Sequence, residues 1–196
     1  MYNREIIREI DNLLLSTHRP GIETVIAHLH QGNDAFYRVP ASTKFHDNFS
    51  GGLAKHSMDV YLEAKVAYEK LVTSGIQPSF GMDSVILCSL LHDVCKIDEY
   101  EIVDGKSKHT TQYRPGGAHG LKSERLLRGW HLDLTADERR AIIWHMGAYA
   151  NDAREHFSTT YRPVASASLL VKIIHEADHH AAKNPNSLIQ MSGAPS

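Results

Sequence analysis

The chain has 196 residues, of which 42% are hydrophobic and 22% charged, and a formal net charge of −2. That is the composition of one soluble globular domain, long enough to bury a sizeable core. The near-neutral balance argues against a protein that coats nucleic acid or lies on a membrane through overall charge, and leaves room only for a local basic groove.

At the N-terminus Ile6, Ile7, Ile10, Leu13 and Leu14 recur at helical spacing. Arg4, Glu5, Arg8, Glu9 and Asp11 interrupt them, so no secretory leader is expected. Arg19-Pro20-Gly21 breaks the helix. A second helix follows through Ile22, Val25, Ile26 and Leu29, ending near Gly32. Residues 33–50 are mixed and turn-rich and read as an ordered loop. A third helix is predicted from Gly51 to about Thr73, with Ser50 as its cap.

After a loop over 74–81, Met82–Lys96 reads as one helix that is apolar nearly all round, the mark of a buried central element. Its Cys88 and Cys95 would stand about 10 Å apart along the axis, too far for a disulfide. Free thiols fit a reducing, cytoplasmic setting. Asp104-Gly105 then suits the turn of a small hairpin near residues 99–112. Arg114-Pro115-Gly116-Gly117 reads as a flexible connector before a short helix from about Ala118 to Gly129. Thr135 and Glu138 form a capping box for the next helix, through Ile142, Ile143, Trp144 and Met146.

Residues 148–163 read as a second long loop. A last helix is predicted over 164–183, stopped by Asn184-Pro185. The expected fold is all-α: a helical bundle with one small β-hairpin. It divides into N-terminal helices over 1–35, a core over 40–183 and a flexible tail over 186–196. No apolar run reaches transmembrane length, so no membrane partner is expected.

Fourteen histidines are unusual for this length, and many stand singly inside apolar segments. His92-Asp93 lies in the most apolar helix, where an unpartnered carboxylate is costly and a metal removes the cost. Lys96, one turn on, is placed to meet a phosphate. His56 follows a glycine pair that permits close backbone approach. His119 opens a helix after a second glycine pair. His145 sits among Ile142, Ile143, Trp144 and Met146, and Asp178 flanks the last helix's apolar stripe. Side chains converging from several helices are how bundles build metal sites. Imidazoles and carboxylates together suit one or two divalent transition ions: Mn, Fe, Co, Ni or Zn.

GGLAKHS with His56, LLHDVCK with His92 and Asp93, AHG with His119, IIWHM with His145 and EAD with Asp178 occur in that order. The pattern resembles the HD-domain metal-dependent phosphohydrolase superfamily over about residues 40–183. HDNFSGGLAKHS followed by LLHDVCK is most similar to the HD domains of bacterial 3′-to-5′ exoribonucleases and their small stand-alone relatives. The resemblance implies a first ion on His56, His92, Asp93 and Asp178. It implies a second on His119 and His145, with Asp93 bridging the two. Many members of that superfamily have Gly where this chain has Cys95, which puts a thiol beside the ligands.

The activity so implied is hydrolysis of a phosphomonoester or phosphodiester of a nucleotide or short single-stranded oligonucleotide by a metal-activated water. Asp93 and Lys96 would be catalytic, Lys96 by stabilising charge on the phosphoryl oxygens. Lys96, His46, Arg114 and Arg162 are the candidate substrate contacts. A mixed-valent di-iron oxygenase and a non-catalytic nucleotide-binding signalling module are the competing expectations. The N-terminal helices offer a surface for a homodimer.

Overall fold

A computed structural model describes residues 4–113 and 119–184. In chain order its elements are α1 (Arg4–Ser16), α2 (Ile22–Leu29), α3 (Gln31–Asp34), α4 (Gly52–Thr73), α5 (Met82–Leu91), α6 (Lys96–Glu99), β1 (Tyr100–Val103), β2 (Lys106–His109), α7 (His119–Gly129), α8 (Ala136–Trp144), α9 (Asn151–Phe157), α10 (Tyr161–Ala167) and α11 (Leu169–Lys183). The protein is therefore a helical bundle with one antiparallel hairpin. No helix among the described residues is long and apolar enough to cross a membrane.

The bundle is built around α5. Val85, Leu87, Cys88, Leu90 and Leu91 are fully buried, and α5 packs against α1, α4, α8 and α11. A helix without a polar face gains most when enclosed on every side, at about 1.5–3 kcal/mol for each large side chain taken from water. The predicted capping box is formed. The Thr135 hydroxyl accepts from Glu138 N–H at 3.2 Å, and Glu138 accepts from Thr135 N–H at 2.7 Å. The same buried carboxylate accepts from Arg19 at 2.7 Å and from the Ser84 hydroxyl at 2.6 Å. One glutamate thus joins the break after α1, the start of α5 and the start of α8. In the hairpin, Asp104 and Gly105 both take left-handed backbone, φ 52° and 71°. Two such residues make the turn whose twist matches the paired strands, and Val103 faces Lys106 across it.

Several boundaries differ from the sequence reading. Met82–Lys96 is not one helix. Helix α5 stops at Leu91, and the chain continues in tighter turns closed by Val94 N–H to Leu91 O, Lys96 N–H to Asp93 O and Ile97 N–H to Val94 O. Residues three apart come nearly into line in such turns, so Asp93, Lys96 and Glu99 share a side. Ser50 does not cap α4. Gly51 holds that position with φ 88°, and the Ser50 hydroxyl donates to Arg38 O at 3.1 Å.

The stretch 33–50 begins with the end of α3 and a 3₁₀ turn over Ala35–Tyr37, and 148–163 contains α9 and the start of α10. The predicted last helix is two, because Ser168 leaves helical backbone and its hydroxyl caps Val171 N–H at 3.3 Å. The connector Arg114–Gly117 and the tail 186–196 lie outside the described residues.

Gly52 sets the entry of α4. A Cβ there would stand 1.9 Å from Asp47 O, so only glycine lets the helix start against the 41–47 turn. Gly52→Ala is expected to cost about 2–3 kcal/mol, the scale of forced overpacking. Gly129→Ala, with nothing within 4 Å of the added carbon, should be neutral or gain up to about 1 kcal/mol. Urea denaturation midpoints of the two variants check the contrast.

Candidate metal centre

Helix ends set two of the histidines. His92 directly follows α5, and its Nδ1–H donates to Ser89 O at 2.8 Å. His145 directly follows α8, and its Nδ1–H donates to Ile142 O at 2.7 Å. These carbonyls belong to the last turns of their helices, which lack intrahelical donors. A carbonyl can only accept, so both rings carry a proton on Nδ1 and turn Nε2 inward. Both Nε2 atoms are buried without a hydrogen-bond partner among the described residues.

The remaining members come from α4, the post-α5 turn and α11. His56 Nε2 lies 3.0 Å from Asp178 Oδ1, and His92 Nε2 lies 3.7 Å from the same oxygen. Asp93 divides its two oxygens. Oδ2 is 3.3 Å from His92 Nε2, and Oδ1 is 3.4 Å from His145 Nε2. Two overlapping groups result, His56–His92–Asp178 and His92–Asp93–His145. Nitrogen and oxygen ligand atoms around one tetrahedral ion with bonds of about 2.0–2.2 Å stand about 3.3–3.6 Å apart. The spacings here bracket that range. Neutral imidazole lone pairs facing carboxylate oxygens repel unless a proton or a cation lies between them. The donor set therefore fits a transition-metal ion, with the Nδ1 hydrogen bonds fixing ring orientation as ligating histidines require.

Burial alone would raise both carboxyls. Lys96 and His92 outweigh it at Asp93, and His56 and His92 outweigh it at Asp178, so both are held below the ordinary carboxylate range. Lys96 Nζ is 2.6 Å from Asp93 Oδ2. Burial opposes its charge, yet Asp93 holds the ammonium above the usual lysine range. The His46 ring lies 4.6 Å from that of His56. Burial, with His56 and Lys96 adding, pushes its pKa down to about 4, so it is neutral at pH 7.

Asp93, Lys96, His46, His119, His145 and Asp178 all line one cavity of about 690 Å³, a size usual for small-molecule sites. Tyr100, Tyr113, His175 and Tyr149 line it too. Sequence reasoning passed over these. The signal for His175 was its place one helical turn before Asp178 on α11. One expected contact does not join the cavity. Arg162 is exposed on α10 and lines a separate groove with Lys172 and Glu176. Arg114 lies outside the described residues. His119 is grouped with Cys95 and Glu99 rather than with Asp93 and His145.

Fold and site together define a helical bundle enclosing a buried histidine–aspartate cluster that could hold a metal ion. Comparison with protein-family models, curated proteins and solved structures returns no match.

Proposed function

We propose that the protein is a metal-dependent phosphohydrolase that cleaves a phosphomonoester or phosphodiester of a nucleotide or short oligonucleotide. The observation that carries the reading is the buried Lys96 ammonium, fixed 2.6 Å from a candidate ligand on the wall of the cavity. A permanent positive charge beside metal donors suits an anionic substrate. A divalent transition ion, or two, held by His56, His92, Asp93, His145 and Asp178 would supply a Lewis acid for phosphoryl oxygens and a water ionised near neutral pH.

The protein's own part is binding and electrostatics. Lys96 meets a phosphoryl oxygen and stabilises the charge that gathers there. His46, neutral and with Nε2 buried and unpartnered among the described residues, hydrogen-bonds the substrate without competing for charge. Tyr100, Tyr113, Met146 and Tyr149 offer apolar wall for a base and sugar. The ordered resemblance to HD-domain hydrolases supports the same conclusion.

The test is metal analysis of the purified protein, followed by a panel of phosphomonoesters and phosphodiesters assayed with Mn, Co, Ni and Mg. Turnover of at least one nucleotide class that chelation abolishes and metal restores is expected. A metal-replete protein inert on the whole panel overturns the reading.

A further inference from the structure

Beside the histidine–aspartate centre lies a second cluster of different chemistry. Cys95, Glu99 and His119 each direct one candidate ligand atom into a common region, and all three atoms lie within 4.8 Å of one another. Cys95 sits in the turn after Asp93, Glu99 ends α6 and His119 opens α7. Cys95 and Glu99 are fully buried. The Glu99 carboxylate divides its oxygens: Oε1 takes Lys122 Nζ at 2.9 Å, while Oε2 is buried with no hydrogen-bond partner among the described residues. His119 Nδ1 stands 3.0 Å from that orphaned oxygen and 3.8 Å from Cys95 Sγ. The thiol donates to His119 O at 3.4 Å.

We propose that Cys95, Glu99 and His119 form a separate zinc-type cation site that ties the start of α7 to the turn carrying Asp93. Zinc bonds of about 2.3 Å to sulfur and 2.0–2.2 Å to nitrogen and oxygen place tetrahedral ligand atoms about 3.3–3.6 Å apart. The observed 3.0 and 3.8 Å lie on either side of that spacing. Thiolate, imidazole and carboxylate select a thiophilic borderline ion over magnesium or calcium. Binding releases the thiol proton to solvent. A thiolate and a carboxylate then offset the charge of the divalent ion, and Lys122 stays beside the other carboxylate oxygen. Three protein ligands leave a fourth position for water.

This site contains none of the five residues of the histidine–aspartate centre, so it stands or falls apart from the phosphohydrolase reading. Close packing already holds the start of α7 in place, since a Cβ on Gly120 would stand 2.4 Å from Ile143 O. His119 is thus presented by a fixed helix end.

Cobalt distinguishes the two sites. Nitrogen and oxygen ligands give only weak visible bands, whereas a thiolate adds a strong near-ultraviolet charge-transfer band. Chelator-stripped full-length protein reloaded with cobalt should show that band. Cys95→Ser should abolish it and weaken zinc binding at this site by more than roughly 10²-fold, beyond the 10–100-fold range for losing an outer-shell partner. It should leave the rest of the bound metal in place. Cys88→Ser should leave the band unchanged. Should Cys95→Ser fail to fold, His119→Ala carries the test, because it also removes a ligand and should lose the band. No near-ultraviolet band in cobalt-loaded wild-type protein, or a band that persists in Cys95→Ser, overturns the proposal.

Discussion

Asp93→Ala is expected to lower kcat by roughly 10³-fold or more and to strip metal from the histidine–aspartate centre. Each of its oxygens faces a different imidazole, His92 at 3.3 Å and His145 at 3.4 Å. It also belongs to the ligand group that shares His92 with the His56–Asp178 group. Removing it breaks one group and weakens the other. A bound cation is worth several kcal/mol of transition-state charge stabilisation, and each 1.36 kcal/mol is about tenfold in rate.

The variant also leaves Lys96 as a buried ammonium without its closest partner. Loss of one member of a buried pair costs about 3–5 kcal/mol, so the metal-free variant should melt well below metal-free wild type. Asp93→Asn separates the effects, since it keeps the volume and removes the charge. Metal content by mass spectrometry, kcat and thermal melts are the readouts. An Asp93→Ala protein that keeps wild-type metal content and turnover rules out a ligand role for this carboxylate.

The long elements were legible because their apolar residues recur over three or more turns, as in α1 and α4. Capping chemistry marked α8, and a two-residue turn marked the hairpin. The short helices α3, α9 and α10 were not legible. Segments of four to seven residues hold too few turns for a period to emerge. The end of α5 was hidden for a different reason. Val94 and Ile97 continue the apolar pattern past Leu91, so composition alone does not reveal the change to tighter turns.

Among the candidate ligands, His92 and Asp93 stood out as a polar pair in the most apolar helix and His145 as a polar residue among Ile142, Ile143, Trp144 and Met146, whereas His56 and Asp178 gained weight only from the ordered set. Glu99 did not stand out, since a glutamate in the sequence Lys96-Ile97-Asp98-Glu99-Tyr100 reads as surface. Its carboxylate is met by His119 and Lys122, twenty and twenty-three residues away. The three-residue spacing of Asp93, Lys96 and Glu99 was the available sign, and it carries meaning only once the turn is known. Arg162 looked like a loop cation because the loop assignment was itself wrong.

Lys96→Ala should behave unlike Asp93→Ala, and the difference tests the chemistry. With its ammonium gone, metal content should stay near wild type, because a protonated lysine donates no lone pair to an ion. Turnover should fall roughly 10²-fold or more, the scale of losing one fixed charge that stabilises a transition state. Stability should depend on the metal. In the metal-free protein Asp93 loses the cation 2.6 Å from its Oδ2 and becomes a buried carboxylate facing only imidazoles, a loss of about 3–5 kcal/mol. An added divalent ion replaces that charge, so the melting temperature of Lys96→Ala should rise more on adding manganese than that of wild type does. The two readouts are independent: melts report the pairing with Asp93, and kcat reports the contact with substrate. If the metal-dependent stabilisation appears but Lys96→Ala retains full phosphoesterase activity across the substrate panel, the phosphate role is wrong. A redox use of the same ligands would then become the better reading, and oxygen uptake by the iron-loaded protein is the measurement that decides it.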